Sequence, residues 1–232
     1  MNSKIRYIHE IKSTTREKHN FIILSASKPK IRGLHGSLPL FPMGSKCLID
    51  SQVDTIRNVF VDYEVFLVTG FDSDNVTNYV FNNHHDIRVI ENHQYKNNTV
   101  LDSLKMAVNC CLDANTFIIY GDRLFNHKSI DLKTSNSLLF TKKKKKKNYD
   151  IGLSYNKAKK IVNASYGLPD VWSEIMYMQK KDFKKLKKIL NRAKNSKVFN
   201  MIQLLPILFK SIDFYIHNDK NINIQTIKEL IK

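Results

Sequence analysis

Residues 20–27 read Asn-Phe-Ile-Ile-Leu-Ser-Ala-Ser: four consecutive apolar side chains are followed at once by three small ones. A short apolar run that ends in small residues is typical of a parallel strand that is buried on both faces. Three later runs have the same character, at Glu64–Thr69, Ile87–Glu91 and Thr116–Tyr120. Together these runs predict one parallel sheet, whose connecting loops gather at the carboxyl ends of the strands.

Segments with helical periodicity separate the predicted strands. They span Leu48–Asn58, Asp72–Phe81 and Thr99–Leu112, and the last of them begins with Thr99 as its N-cap. Because strand and helix alternate, the first half of the chain predicts an α/β fold. We expect a three-layer sandwich with a mostly parallel, Rossmann-like central sheet that is covered by helices on both faces.

The pattern loosens in the second half of the chain. The predicted elements there are strands at Ile151–Tyr155, Lys160–Asn163, Glu174–Met178 and Phe214–His217, and helices at Lys181–Ala193, Met201–Lys210 (interrupted by Pro206) and Thr226–Ile231. No internal repeat divides the chain. Residues 20–232 are therefore predicted to form one domain with a Lys-rich loop at 141–148, preceded by a polar extension at 1–19.

The chain is strongly basic: its 232 residues include 38 Lys+Arg against 21 Asp+Glu, a formal net charge of +17. Most of the excess is lysine, and asparagine is abundant too, which AT-rich codon usage alone can produce. The six lysines Lys142–Lys147 are typical of a solvated loop, whereas the alternative is attraction for polyanions. Nucleic-acid surfaces interleave arginine and aromatic residues with lysine. This run does not, so an anionic small ligand fits the charge better than nucleic acid.

The lengths of the apolar stretches and the spacing of the cysteines indicate in which cellular compartment the protein is expected. The longest apolar stretch, about Met201–Phe209, is far shorter than the roughly 20 residues that span a bilayer. Met1–Ser13 lacks the apolar run of a secretory signal. Cys47, Cys110 and Cys111 have no metal-ligand spacing. These features predict a reduced, cytoplasmic protein with no membrane partner.

Gly121-Asp122 follows the fourth predicted strand directly. A glycine at a strand end lets a ligand approach the backbone, and a carboxylate there can hold Mg²⁺ beside a phosphate. The same dipeptide is also ordinary turn chemistry, so the pair alone leaves both interpretations open.

The order of five segments along the chain favours the ligand-binding interpretation of Gly121-Asp122. They are Phe21–Ser27, Pro42–Asp50 (Pro-Met-Gly-Ser-Lys-Cys-Leu-Ile-Asp), Glu91–Asn98 with Ser103-Leu104, Ile118–Asp122, and Asn221–Asn223 before the last helix. With this order and spacing the chain resembles, over about residues 20–232, the nucleotidyltransferases of the sugar-phosphate and choline-phosphate type. These enzymes share the nucleotide-diphospho-sugar transferase fold.

The resemblance implies a reaction and a site. An NTP and a small phosphorylated metabolite, such as a sugar-1-phosphate or phosphocholine, would give a nucleotide-linked product and pyrophosphate in a Mg²⁺-dependent step. The implied site residues are Asp122 and Asn223 for Mg²⁺, Ser25, Ala26, Ser27 and Lys30 for the nucleotide, and Asn98, Trp172 and Glu174 for the acceptor. Trp172 can equally be a core aromatic, and Asn223 a helix cap.

The chain departs from the family pattern in its first loop. That loop is glycine-rich and carries an arginine in the family, whereas residues 27–31 here contain no glycine and Arg32 comes one place late. The position of the catalytic lysine falls on Leu38, which cannot stabilise the charge that develops on the phosphates. The candidates for a replacement cation are Lys28, Lys30, Arg32 and Lys46, each of which can also be a solvated loop cation.

These departures keep alternative functions open. A catalytically degenerate protein of the same fold could retain nucleotide binding or only the scaffold, and a related glycosyltransferase could share the fold. His84-His85 has no further ligand at a suitable spacing and is predicted to lie in a surface turn.

Overall fold

A computed structural model describes residues 17–29, 36–130, 132, 134–141, 150–192, 200–218 and 224–230. Most of the predicted N-terminal extension at 1–19 and of the Lys-rich loop at 141–148 lies outside these ranges. The predicted division into extension and domain therefore stays a prediction.

The described residues form strands and helices that alternate through the first half of the chain. The strands are β1 (His19–Leu24), β2 (Pro42–Met43), β3 (Lys46–Cys47), β4 (Tyr63–Thr69), β5 (Ile87–Glu91), β6 (Asn115–Tyr120), β7 (Arg123–Phe125), β8 (Ser137–Thr141), β9 (Ile151–Tyr155), β10 (Ile161–Tyr166), β11 (Asp170–Met178), β12 (Phe214–His217) and β13 (Ile224–Thr226). The helices are α1 (Leu48–Val59), α2 (Ser73–Asn83), α3 (Val100–Cys110), α4 (His127–Ile130), α5 (Lys180–Arg192), α6 (Met201–Phe209) and α7 (Ile227–Leu230).

Strand β1 lies at the centre of a parallel sheet. It pairs in parallel with β4 on one side and with β6 on the other, and β5 extends the sheet beyond β4. All six residues of β1 are buried, which explains its almost continuous apolar sequence. The parallel sheet predicted from the four apolar runs is confirmed.

Antiparallel strands widen the sheet on the β6 side. The order of the strands is β10-β9-β11-β6-β1-β4-β5, and β8 joins β11 to β12, giving nine strands among the described residues. Sequence reasoning missed β8, although its residues Ser137–Thr141 are all buried. Its Leu-Leu-Phe core is too short to separate from a buried turn by periodicity alone.

Two apolar layers cover the sheet, one on each face. Ile22 and Leu24 of β1 pack with α3, α5 and α6, whereas Phe21 and Ile23 pack with α1 and α2. This alternation follows from the two-residue period of a strand. The predicted three-layer sandwich is confirmed.

Helix α6 continues through Pro206, although the proline predicts an interruption. The proline faces solvent, while Leu204, Leu205 and Leu208 are buried in the core on the other face of the helix. Burial of the apolar face offsets the backbone hydrogen bond that proline cannot make. None of the helices in the described ranges is long and apolar enough to cross a membrane.

A polar network ties α1 to α2 and β5. His84 is buried, not in an exposed turn as predicted, and its Nε2 lies 2.6 Å from Asp50 Oδ1. Its Nδ1 lies 3.1 Å from Arg57 Nη2, which can only donate, so Nδ1 accepts and Nε2 carries the hydrogen. Arg57 also makes a two-pronged contact with Asp86, whose Oδ2 accepts from the Tyr63 hydroxyl at 2.6 Å.

Removal of the Asp86 carboxylate should make the unfolding free energy less dependent on pH under acidic conditions. Hydrogen bonds from Arg57 lower the pKa of Asp86 from 3.8 to about 2. A carboxyl whose pKa is lower in the folded state stabilises the fold above its unfolded pKa, and this contribution is lost as the pH falls from about 4 towards 2. In urea unfolding across this window, Asp86→Asn should lose less stability on acidification than the wild type. The exposed Asp74→Asn is the control and should follow the wild type. If the unfolding free energy of Asp86→Asn falls with pH as steeply as that of the wild type, the prediction is wrong.

Removal of the cap of α3 should destabilise the chain. The Thr99 hydroxyl accepts from the Asp102 N–H at 3.3 Å, and the Thr99 N–H donates to the Asp102 carboxylate at 2.7 Å. Thr99→Ala should cost about 1 kcal/mol of unfolding free energy, measured from urea midpoints. The half-buried mid-helix Thr77→Ala, which removes no cap, should be nearly neutral, and equal losses in the two variants would exclude a capping role.

Candidate functional site

The crevice between β1 and β6 is the place in this sheet where the strand order reverses. From β1 the chain proceeds outward to β4 and β5, and then returns to place β6 on the other side of β1. In open parallel sheets, ligands bind at such a switch point, beyond the carboxyl ends of the strands. Ser25 follows β1 there, and Gly121-Asp122 follows β6.

Gly121 allows these two strand ends to approach each other closely. Its N–H donates to the Leu24 carbonyl at 2.8 Å. A β-carbon at position 121 would lie 2.5 Å from Ser25 Oγ and 2.9 Å from the Leu24 carbonyl oxygen. The glycine is therefore required by packing between the strands, and the turn of 121–122 is held against the end of β1.

Buried hydroxyl groups line the carboxyl edge. Ser25 Oγ, Thr69 Oγ1 and Ser173 Oγ are buried and have no hydrogen-bond partner among the described residues. They lie at the end of β1, at the end of β4 and within β11. Buried hydroxyls without partners are costly, so a ligand that reached this edge could stabilise them by supplying hydrogen-bonding atoms.

The carboxylate of Asp122 is partly exposed, with 25% of its side chain accessible. Its Oδ2 lies 3.3 Å from Nη1 of Arg123, whose side chain is only 6% exposed. The other terminal nitrogen of Arg123, Nη2, contacts Glu174 Oε2. One buried guanidinium thus joins a predicted metal ligand to a predicted acceptor residue that is about 50 positions away in the chain.

Glu174 reaches Arg123 from a strained backbone position. Its φ is +63°, in the left-handed region that non-glycine residues rarely adopt, and the pairing of β11 with β8 is irregular between Trp172 and Met176. Such strain persists where the surrounding structure imposes it, often at functional sites. Burial lowers the pKa of Arg123, while Asp122, Glu229 and Asp150 oppose that effect.

The backbone of 121–123 is held from two sides. Gln52 of α1 is buried, and its amide donates to the carbonyls of Gly121 at 3.3 Å and Arg123 at 2.7 Å. The Ile227 N–H donates to the Asp122 carbonyl at 3.1 Å. Arg123 was not predicted as a site residue. Its only sequence signal is a cation directly after Gly-Asp, which does not reveal that the cation is buried.

The predicted acceptor region contains an asparagine network. Asn92 is buried, and its Oδ1 accepts from the Asn98 side-chain amide at 3.0 Å, while its own amide donates to Ser103 Oγ at 3.0 Å. Tyr95 packs against Gly70, where a β-carbon would meet it at 2.6 Å. Asn98 is thereby oriented by Asn92. Asn92 lies in the segment Glu91–Asn98, but the sequence alone predicts no role for it.

Trp172 lies in the core next to the crevice. It is buried, its indole N–H donates to the Ile175 carbonyl at 3.0 Å, and its ring meets that of Tyr120 edge-on at 6.0 Å between centroids. These contacts match the predicted alternative of a core aromatic. A role of Trp172 in acceptor binding stays a prediction.

The described candidate cations are exposed. Lys28 Nζ lies 5.3 Å from the centre of the Phe71 ring, and Lys46 Nζ lies 2.5 Å from Asp54 Oδ2 on the surface of α1. Leu38 is half-buried. Ala26 is buried and Ser27 exposed, whereas Lys30, Arg32 and Asn223 lie outside the described residues, so the predicted proximity of Asn223 to Asp122 stays a prediction.

The described residues suit a Mg²⁺ ion that is held partly by the protein and partly by a bound nucleotide. In the described part of the chain, no group of three or more His, Cys, Asp or Glu side chains is arranged to hold a metal. Mg²⁺ often binds through one or two carboxylates together with substrate phosphates and water. Asp122, partly exposed beside Gly121, fits such a site, which the nucleotide would complete.

A side chain at position 121 should destabilise the fold. The β-carbon of Gly121→Ala would overlap Ser25 and the Leu24 backbone, and overpacking of this kind costs about 1–3 kcal/mol. Gly36→Ala, where a β-carbon meets nothing within 4 Å, is the matched control. Thermal and urea unfolding of the two variants measure the difference. If Gly121→Ala is as stable as Gly36→Ala, the close packing of residue 121 against Ser25 and Leu24 is wrong.

Comparisons with known proteins agree on the fold. No family model and no curated protein sequence matches the chain. Among solved structures, the chain is similar to CTP:phosphocholine cytidylyltransferase from Streptococcus pneumoniae, with a TM-score of 0.77, 14% identity, and coverage of 93% of this chain and 100% of that one.

Two other neighbours have related activities. A putative glucose-1-phosphate thymidylyltransferase from Bacillus anthracis has a TM-score of 0.69 and 10% identity, and the match covers 90% of this chain and 89% of that one. The inositol-1-phosphate CTP transferase from T. maritima has a TM-score of 0.64 and 14% identity, with 90% and 88% covered. All three are nucleotidyltransferases of the nucleotide-diphospho-sugar fold, so the resemblance predicted from the five segments is confirmed for the fold.

Proposed function

We propose that the chain transfers a nucleotidyl group from an NTP to a small phosphorylated acceptor, a sugar-1-phosphate or phosphocholine-like metabolite. The observation that carries the proposal is the position of Asp122, a partly exposed carboxylate that directly follows Gly121 at the switch point of the sheet. The fold is one on which related proteins carry out this transfer.

The transfer would be a displacement at phosphorus. An oxygen of the acceptor phosphate forms a bond to the α-phosphorus of the NTP, and the bond from that phosphorus to the oxygen bridging to the β-phosphate breaks. Pyrophosphate leaves with the bonding electron pair. Bound at Asp122, Mg²⁺ would neutralise charge on the triphosphate and orient its oxygens.

The chain would position the nucleotide through the ends of β1 and β4. Ser25 and Thr69, at these two ends, carry buried hydroxyls with no partner among the described residues, and these would donate to a nucleotide that reaches the strand ends. Ala26 and Ser27 follow Ser25 directly and would also lie beside the nucleotide. Lys28, or Lys30 and Arg32 outside the described residues, would contact the phosphates. Asn98, oriented by Asn92, would face the acceptor together with Glu174.

A catalytically degenerate nucleotide-binding protein is the second candidate. One observation favours it: Lys46 is paired with Asp54 and Lys28 lies over Phe71, while Leu38 occupies the expected lysine position. Without a cation on the phosphates, a transition state loses a large part of its stabilisation. Nucleotide binding alone needs only the crevice.

Pyrophosphate release tests the proposal. Each NTP is combined with Mg²⁺ and with a sugar-1-phosphate or phosphocholine, on the wild type and on Asp122→Asn. We expect turnover with at least one pair and a loss of about 10²–10³ in kcat for the variant. Asp113→Asn, at the opposite edge of the sheet beside Lys187, removes a comparable carboxylate and should leave turnover unchanged.

Alanine variants of Lys28, Lys30, Arg32 and Lys46 identify the replacement cation. Removal of that one group should cost about 10²–10³ in rate, and removal of the others little. Thermal shift with each NTP separates the two candidate functions, because a ligand that binds the folded state raises the Tm. An NTP-dependent shift without turnover supports the degenerate binder, and neither shift nor turnover would leave only the scaffold.

A further inference from the structure

We propose that Arg123 is a positioning residue that occupies the space between Asp122 and Glu174 which a divalent cation would need. In the nucleotide-free protein the guanidinium then takes the place of a metal, and a divalent ion binds only together with a triphosphate. The second half of this inference rests on the proposed function, whereas the first half concerns the protein alone.

The contacts of Arg123 support this role. Its two terminal nitrogens are divided between Asp122 Oδ2 and Glu174 Oε2, so one cation is shared by two carboxylates. These carboxylates are 25% and 32% exposed, whereas the arginine is 6% exposed. The guanidinium is therefore enclosed between two carboxylates that stay partly exposed.

Burying the Arg123 guanidinium costs free energy, and its hydrogen-bond partners among the described residues offset only part of that cost. Its Nε is buried and has no partner among the described residues, although the side chain is only 6% exposed. Glu229 and Asp150 also contribute negative charge around it. A guanidinium in this position is stabilised mainly by nearby carboxylates, and it lowers in turn their attraction for a second cation.

The backbone of β11 is shaped for this contact. Glu174 holds φ +63°, at an irregular point in the pairing with β8, and its carboxylate meets Arg123 from there. A purely structural salt bridge would explain the stability of this arrangement. Stability alone does not separate the two interpretations, because both predict a loss of stability in Arg123 variants. The proposed role predicts in addition a gain in Mn²⁺ affinity that depends on Glu174.

Binding of Mn²⁺ alone, measured by electron paramagnetic resonance and calorimetry, tests the inference. The full chain as wild type should bind Mn²⁺ weakly. Arg123→Met, which removes the charge and keeps much of the length, should bind Mn²⁺ at least about tenfold more tightly. The gain should disappear in Arg123→Met/Glu174→Gln, and Arg123→Lys should stay close to the wild type.

Arg88→Met is the matched control, because Arg88 also pairs with a glutamate of the sheet, Glu64, at 2.7 Å, but is 65% exposed. It should leave Mn²⁺ binding unchanged. If Arg123→Met does not fold, Arg123→Gln retains hydrogen-bond donors and is measured in its place. Wild-type protein that binds Mn²⁺ as tightly as a folded Arg123 variant would overturn the inference.

Addition of each NTP separates this inference from the proposed function. We expect an NTP to bring Mn²⁺ to the wild type and to raise its Tm only when both are present. If no NTP has an effect but Arg123→Met gains Mn²⁺ affinity, the proposed function fails and the role of Arg123 stands. If an NTP binds and the variant shows no gain, the role of Arg123 fails and the proposed function stands.

Discussion

The contact of Gly121 with the end of β1 is the constraint on which the candidate site depends. Because no side chain fits between Gly121 and Ser25, the carboxyl ends of β1 and β6 meet at backbone distance. That approach fixes the turn which carries Asp122. Gln52 of α1 and Ile227, the first residue of α7, hold the same turn by hydrogen bonds to its carbonyls. The position of Asp122 thus follows from the strand order of the sheet and from the packing of Gly121.

The fold was largely predictable, because burial on both faces leaves a clear signature. The runs that became β1, β4, β5 and β6 are apolar and short, and the cap at Thr99 is a local signal of side-chain chemistry. Strand β8 was missed because five residues carry no reliable period. The continuity of α6 through Pro206 was missed because tertiary burial overrides a local preference.

The candidate site was predictable only in part. Asp122 and Ser25 could be found because motif order places them at strand ends. Arg123 and the burial of His84 could not, since each depends on a partner distant in sequence: Glu174 for the arginine, and Asp50 for the histidine. A charged residue after a turn looks exposed in sequence, and only the packing of β11 and α1 shows that these groups are enclosed.

The strand order also has a consequence for folding during synthesis. Phe21 pairs with Val65 on one side and with Phe117 on the other, so one edge of the central strand has no neighbour until the chain through β6 has left the ribosome. Long-range parallel pairing is slow, and an open apolar strand edge can pair with another chain. The nascent protein is therefore most prone to aggregate while residues 19–91 are folded and 115–120 are still in the exit tunnel, which makes that interval the point where a chaperone would matter most.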